Sequence, residues 1–166
     1  MSIKTFGDLK KHLNTLDLEP MAKRLGTWLD GQLRSMPGDV AGLHLEWDLV
    51  GGEVNDEIVA DLFGYKPPGL DPTSPGDWDW SSGDAQQFQF IGLGAVWSEA
   101  VEILIDDQVP AAEEAISATI DAVVRRALAC SQELARRTAA GTAVRFHCSK
   151  SGEPLREFGA NGSGDA

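Results

Sequence analysis

The stretch PAAEEAISATIDAVVRRALACSQELARRT, residues 110–138, carries the clearest structural pattern in the chain. Its apolar residues recur at alternating spacings of four and three, the period of an α-helix with one buried face. They are Ile116, Ile120, Val123, Ala127, Cys130 and Leu134. Pro110 suits the first turn of a helix, where its missing N–H is not needed. The pattern therefore predicts one long core helix over residues 110–138, with Gly141 behind it as a stop.

Length and charge restrict the number of domains and the classes of partner that this chain can have. The 166 residues suit one domain, and a hydrophobic fraction of 42% is enough for a packed core. We expect a single domain over residues 1–159 and a flexible tail over residues 160–166. The formal net charge of −12 disfavours partners such as nucleic acid or an anionic membrane, because phosphate repels such a surface. With no signal-peptide run and no segment of transmembrane length, the sequence predicts a cytoplasmic protein.

Two amphipathic helices are predicted before the core helix, the first beginning at Thr5 and the second opening at Pro20. Residues 40–50 then alternate apolar and polar side chains, which predicts a half-buried strand. Its apolar side carries Leu43, Leu45, Trp47 and Leu49, and its polar side carries His44, Glu46 and Asp48.

The later segments complete the predicted fold. Residues 55–63 favour a short helix capped by Asn55, with a strand as the alternative. Residues 95–106 also favour a helix over a strand. Strands are predicted at residues 87–91, 142–148 and 155–158. The expected fold class is α+β, with N-terminal helices, a small mainly antiparallel sheet, and the long C-terminal core helix packed on one face of it.

Negative charge is concentrated in the middle of the chain. From Asp39 to Asp107 there are fifteen acidic residues and one basic residue, Lys66, a local balance of −14. This segment includes residues 65–84, which are rich in proline and glycine and predict a long loop without regular secondary structure. A loop of this length in a compact domain is usually functional or disordered.

Trp78 and Trp80 lie inside this acidic loop and point to a binding role. Tryptophan is enriched among interface hot spots, and carboxylates around an aromatic anchor would attract and then seat a cationic partner. The predicted partner-binding residues are Trp78, Trp80, Asp77, Asp79, Asp84, Asp71, Glu46 and Asp48. Two plainer interpretations stay open: the carboxylates are ordinary solvated surface, and the tryptophans pack the loop against the core.

Catalytic and metal-binding motifs are weak in this chain. Residues 77–88 approach the spacing of a calcium loop, but Ser82 and Phe88 occupy the positions of the required glycine and glutamate. His44 and the two carboxylates on its strand face are a thin ligand set, and an exposed polar strand face is the simpler interpretation. We therefore predict no catalytic residue, no metal and no cofactor.

The two cysteines, Cys130 and Cys148, both fall on apolar faces of predicted elements. This position predicts two buried, reduced thiols, as is usual in a cytoplasmic protein. A disulfide between the helix and the following strand is the alternative.

Several features occur together: the small acidic chain, the helical start over residues 5–36, and the loop Asp77-Trp78-Asp79-Trp80. A late long helix follows, and after it come Val144-Arg145-Phe146 and Ser151-Gly152-Glu153-Pro154. In these features the chain resembles the small acidic immunity proteins of polymorphic, contact-dependent and type VI bacterial toxin systems. The resemblance implies a non-enzymatic protein that binds a cognate toxin in the cytoplasm and occludes its active site or its action. The alternative is a type III-like secretion chaperone, an acidic dimer that binds an effector.

Overall fold

The computed structural model describes residues 3–51, 57–67, 77–83, 86–105, 107–142 and 144–159. Within these ranges the chain forms five helices and six strands, which confirms the predicted α+β class. The helices are α1 (Phe6–Thr15), α2 (Glu19–Ser35), α3 (Leu93–Val101), α4 (Val109–Cys130) and α5 (Gln132–Ala139). The strands are β1 (Gly42–Val50), β2 (Glu57–Tyr65), β3 (Trp80–Ser81), β4 (Phe88–Gln89), β5 (Arg145–Lys150) and β6 (Arg156–Phe158). The predicted tail, residues 160–166, lies outside the described residues.

The strands form one mixed sheet in the order β3-β2-β1-β5-β6, and β4 also pairs with β2. Four of the described pairings are antiparallel, as predicted, and β1 with β5 is parallel. A parallel pair needs a long crossover connection. Here the connection between β1 and β5 includes the helices α3, α4 and α5.

The hydrophobic core lies between one face of the sheet and the helices. Leu43, Leu45 and Trp47 of β1 are buried there at 0–1% exposure, and the helices contribute their apolar stripes to the same cluster. The α4 stripe is the predicted one, with Ile116, Ile120, Val123 and Ala127 fully buried. None of the described helices is both long and apolar enough to cross a membrane.

The predicted single core helix is wrong in one respect, because it breaks at Ser131. This residue is extended (φ −68°, ψ 118°), and its hydroxyl caps α5 by accepting from the Leu134 N–H at 3.2 Å. Buried Asp30 of α2 accepts hydrogen bonds from the Ser131 hydroxyl and from the N–H groups of Gln132 and Glu133. These bonds satisfy N–H groups that a new helix start would otherwise leave unpaired.

Replacing Asp30 with Ala should therefore destabilise the protein by about 2 kcal/mol, since a helix cap and buried hydrogen bonds are lost together. The free energy of unfolding from urea titration measures this. The matched control is Asp107→Ala, which removes an exposed aspartate. A loss for Asp30→Ala no larger than the control's would contradict the capping role.

The break also corrects the prediction for the cysteines. Cys130 ends α4 and is exposed, whereas Cys148 of β5 is fully buried. Both are free thiols, so the alternative of a disulfide between them is wrong. Burial raises the pKa of Cys148, which keeps it an unreactive thiol.

Two further segments differ from the prediction, and one ambiguous segment is settled. Residues 57–65 form strand β2 instead of a helix. Apolar residues occur on both faces of this strand, and the positions of Ile58, Val59, Leu62 and Phe63 coincide with the spacing of a helical stripe. The predicted Asn55 cap lies outside the described residues. The acidic loop contains a short strand, β3, paired with Phe63 and Gly64. Helix α3 (Leu93–Val101) confirms the helical prediction for the first part of residues 95–106, and the helix ends five residues earlier than predicted.

Candidate functional site

The face of the sheet opposite the core carries the polar side of β1, and we call it the outer face. In the strand register, His44 lies opposite Phe63 of β2 and His147 of β5. Glu46 lies between Asp61 of β2 and Ser149 of β5. Cross-strand neighbours on one face are within contact distance. The outer face therefore joins histidine, carboxylate and aromatic side chains from three strands.

The histidines of the outer face are buried, which corrects the expectation of an exposed polar strand face. His44 and His147 are 5% and 3% exposed, and His44 Nε2 lies 2.9 Å from the Ser149 hydroxyl. Burial, followed by the influence of His147, lowers the pKa of His44 from 6.5 to about 4. Burial also lowers the pKa of His147. Both imidazoles are therefore neutral at neutral pH, and they belong to the interior of the protein.

The ring of Phe63 lies between buried His44 and the exposed side chain of Trp78. The Phe63 ring lies 6.0 Å from the His44 ring and 4.8 Å from the Trp78 ring, measured between centroids. Trp78 is 55% exposed, the most exposed of the described aromatic side chains. Phe63 thus supports a large apolar side chain that remains open to solvent.

Trp80 lies on the other side of the sheet. It pairs with Gly64 in the β2–β3 register and packs, half-buried, against the hydrophobic core. The plainer interpretation, in which a loop tryptophan packs against the core, is therefore correct for Trp80 and wrong for Trp78. Because Trp78 contacts Phe63 on the outer face and Trp80 packs on the core side, the two tryptophans do not form a joint anchor.

The six carboxylates predicted for the site fall into four groups. Glu46 and Asp48 lie on the outer face beside Asp61, which the sequence analysis did not single out. Asp77 is exposed next to Trp78. Asp79 has a structural role, because its carboxylate accepts from the Lys66 N–H at 2.7 Å and its own N–H donates to the Gly64 carbonyl at 3.0 Å.

The two remaining predicted residues, Asp71 and Asp84, lie outside the described residues. We call the set Glu46, Asp48, Asp61, Phe63, Asp77 and Trp78 the aromatic–acidic face.

Like charges interact within the aromatic–acidic face. Burial and the nearby carboxylate of Asp48 raise the pKa of Glu46, and Asp61 adds to the effect, whereas a hydrogen bond with Ser151 opposes it. The carboxylate of Asp61 is held by the side-chain amide of Gln87 at 2.8 Å. Carboxylates that lie close together repel one another, and a nearby cation relieves this repulsion.

The chemistry available at the outer face is limited. Ser149 is 2% exposed, and its neighbour His44 has a pKa well below the range of a useful general base at neutral pH. Among the described residues, no group of three or more histidine, cysteine or carboxylate side chains is arranged to hold a metal ion. The Ser149–His44 contact is therefore a buried structural bond.

Sequence reasoning missed a second polar cluster, on the core side of the sheet. Glu113, Ser117 and Asp121 recur every four residues along α4, and Lys150 donates to Glu113 at 2.9 Å. The four-residue spacing was a detectable signal, but the apolar stripe beside it dominated the pattern. The basic partners are Lys150 of β5 and Arg156 of β6, which are distant from α4 in the sequence.

Comparisons with known proteins add no relative to this description. A scan against protein-family models finds no match. Searches of curated proteins and of solved structures find no significant match.

Proposed function

We propose that this protein is a non-enzymatic inhibitor that binds a basic protein toxin through the aromatic–acidic face and thereby neutralises it. The observation that carries the proposal is the exposed Trp78 ring, seated on Phe63, with Asp77 next to it in the chain and Asp61 two residues before Phe63 on β2. An exposed tryptophan with a fixed support contributes contact area with little loss of conformational entropy.

The charge distribution supports a basic partner. The central segment with a balance of −14 supplies every carboxylate of the aromatic–acidic face, while the rest of the chain sums to +2. Its single basic residue, Lys66, lies 3.2 Å from Asp39 and leaves the other carboxylates without a lysine or arginine from that segment. Such a field accelerates association with a cationic protein and repels competing anions. If the toxin is a nuclease, these carboxylates would occupy the positions of the substrate phosphates.

Replacing Trp78 with Ala should weaken binding of the toxin at least about 30-fold, the effect of losing a hot-spot residue. The partner is first captured from a lysate of the source organism at low and high salt and identified by mass spectrometry. Binding kinetics are then measured for the purified pair. Ile105→Ala is the matched control, because Ile105 is an apolar side chain of similar exposure, 63%, outside the aromatic–acidic face.

Two further outcomes distinguish an inhibitor from other binding proteins. The double variant Asp48→Asn/Asp77→Asn should associate with the toxin more slowly, and its association rate should depend less on salt concentration. The control is the double variant Glu102→Gln/Asp107→Asn, which changes the net charge by the same amount and should have a smaller effect. Growth of cells that express the captured partner should depend on the parent protein and fail with Trp78→Ala. A dimer that binds a harmless secreted effector equally well with and without Trp78 would contradict the proposal and favour a secretion chaperone.

A further inference from the structure

A small cavity lies where the first turns of α4 cover the ends of β1, β5 and β6. Its volume is about 250 Å³, and its wall combines side chains from all four elements. They include Trp47, Glu113, Ser117, Lys150, Glu153 and Arg156. The cavity is at the carboxyl ends of the parallel strands β1 and β5, the edge at which sheets with helical crossovers commonly bind ligands.

Two buried polar groups on this wall are unsatisfied. Trp47 is 1% exposed and Ser117 is 7% exposed. Within the part of the chain that the structure describes, neither Trp47 Nε1 nor Ser117 Oγ has a hydrogen-bond partner. Buried polar groups are paired in the great majority of cases, so an orphaned donor beside a cavity indicates a missing partner. The indole N–H only donates, which requires an acceptor atom in the cavity.

The charges of the cavity restrict what that partner is. Lys150 is paired with Glu113 at 2.9 Å, whereas Arg156 Nη2 lies 3.1 Å from Asp121 without forming a hydrogen bond to it and so keeps a donor for a ligand. Glu114 and Glu153 are exposed and therefore border the opening. A simple anion would meet donors inside but carboxylates at the entrance. A molecule with an acceptor group at one end and a cationic group at the other satisfies both regions.

We propose that this cavity binds a free small zwitterion of amino-acid size. Its carboxylate accepts hydrogen bonds from the Trp47 indole N–H, the Ser117 hydroxyl and the Arg156 guanidinium, and its ammonium group lies beside Glu114 and Glu153. The volume fits this size, since pockets for drug-sized ligands are larger. The site is on the core side of the sheet, so it is separate from the aromatic–acidic face and independent of the toxin proposal.

The test follows the indole N–H resonances of the ¹⁵N-labelled full chain by NMR. Trp47→Phe removes one of the five tryptophan resonances and so identifies that of Trp47. The probes are the common α-amino acids, with acetate and methylamine as single-charge controls. At least one amino acid should shift the Trp47 resonance saturably, with a dissociation constant in the millimolar range or below. Acetate and methylamine should bind at least tenfold more weakly, and the exposed Trp78 resonance should stay unchanged.

A second variant tests the residue assignment without a risk to folding. Ser117→Ala places a strong helix former in α4 and should weaken the amino-acid response at least tenfold, whereas Ser35→Ala, at the end of α2, should leave it unchanged. The proposal is overturned if no amino acid shifts the Trp47 resonance, which would make this a water-filled cavity. It is also overturned if Ser117→Ala, folded by circular dichroism, responds as the parent does.

Discussion

Acidification from neutral pH to about pH 4 should remove about 3 kcal/mol of stability through His44 alone. Burial lowers the pKa of His44 from 6.5 in the unfolded chain to about 4 in the folded protein. Between these values the unfolded state binds more protons, so the free energy of unfolding falls as the pH falls. Above this window the histidine is neutral in both states, and below it the loss is constant. His147, whose pKa is also lowered by burial, acts in the same direction.

The measurement is urea unfolding at neutral pH and at about pH 4, compared with His44→Gln. Glutamine does not titrate and retains an amide that can hydrogen-bond to Ser149, so the variant should lose much less stability over the same window. The raised pKa of Glu46 has the opposite effect, and comparing parent and variant cancels it because both carry Glu46. His12→Gln, in α1, is the control for removing a histidine elsewhere. Parallel pH profiles for parent and His44→Gln would contradict the assignment.

Replacing Arg137 with Met should destabilise the protein by about 3 kcal/mol and lower its melting temperature by about 10 °C. Arg137 of α5 is 6% exposed, and its guanidinium donates to the carbonyls of Leu33, Met36 and Pro37 at 2.7, 3.0 and 3.2 Å. These carbonyls are at the end of α2, where the helix provides no N–H partner. Methionine fills part of the space but leaves these buried acceptors without the guanidinium.

Arg136 provides a matched control in the adjacent position. Its side chain is 65% exposed and pairs with Glu133 at 2.8 Å, so Arg136→Met removes the same charge from the surface and should cost less than about 1 kcal/mol. Both variants are compared with the parent by calorimetry and by urea titration. Equal losses for the two variants would show that the buried guanidinium does not hold the end of α2.

The aromatic–acidic face was only partly predictable. Glu46, Asp48, Asp77 and Trp78 were recognised from residue type and local charge, and they do lie at the surface or on the outer face. Asp61 was missed because its strand was predicted as a helix, which conceals the pairing with Glu46. Trp78 and Trp80 are two residues apart, and which of them packs on the core depends on how β3 docks against Gly64.

The sequence by itself determined features that depend on neighbours a few residues apart. The apolar stripe of α4, the alternation of β1 and the Thr5 cap, which accepts from the Asp8 N–H at 3.1 Å, all follow from local periodicity and local hydrogen bonding. Tertiary structure decided where the core helix ends, because Asp30 reaches Ser131 from 101 positions earlier in the chain. It also decided that His44 is buried and that Lys150 and Arg156 meet the polar side of α4. Periodicity specifies that a face is buried, but the order of strands and helices selects the groups that meet there.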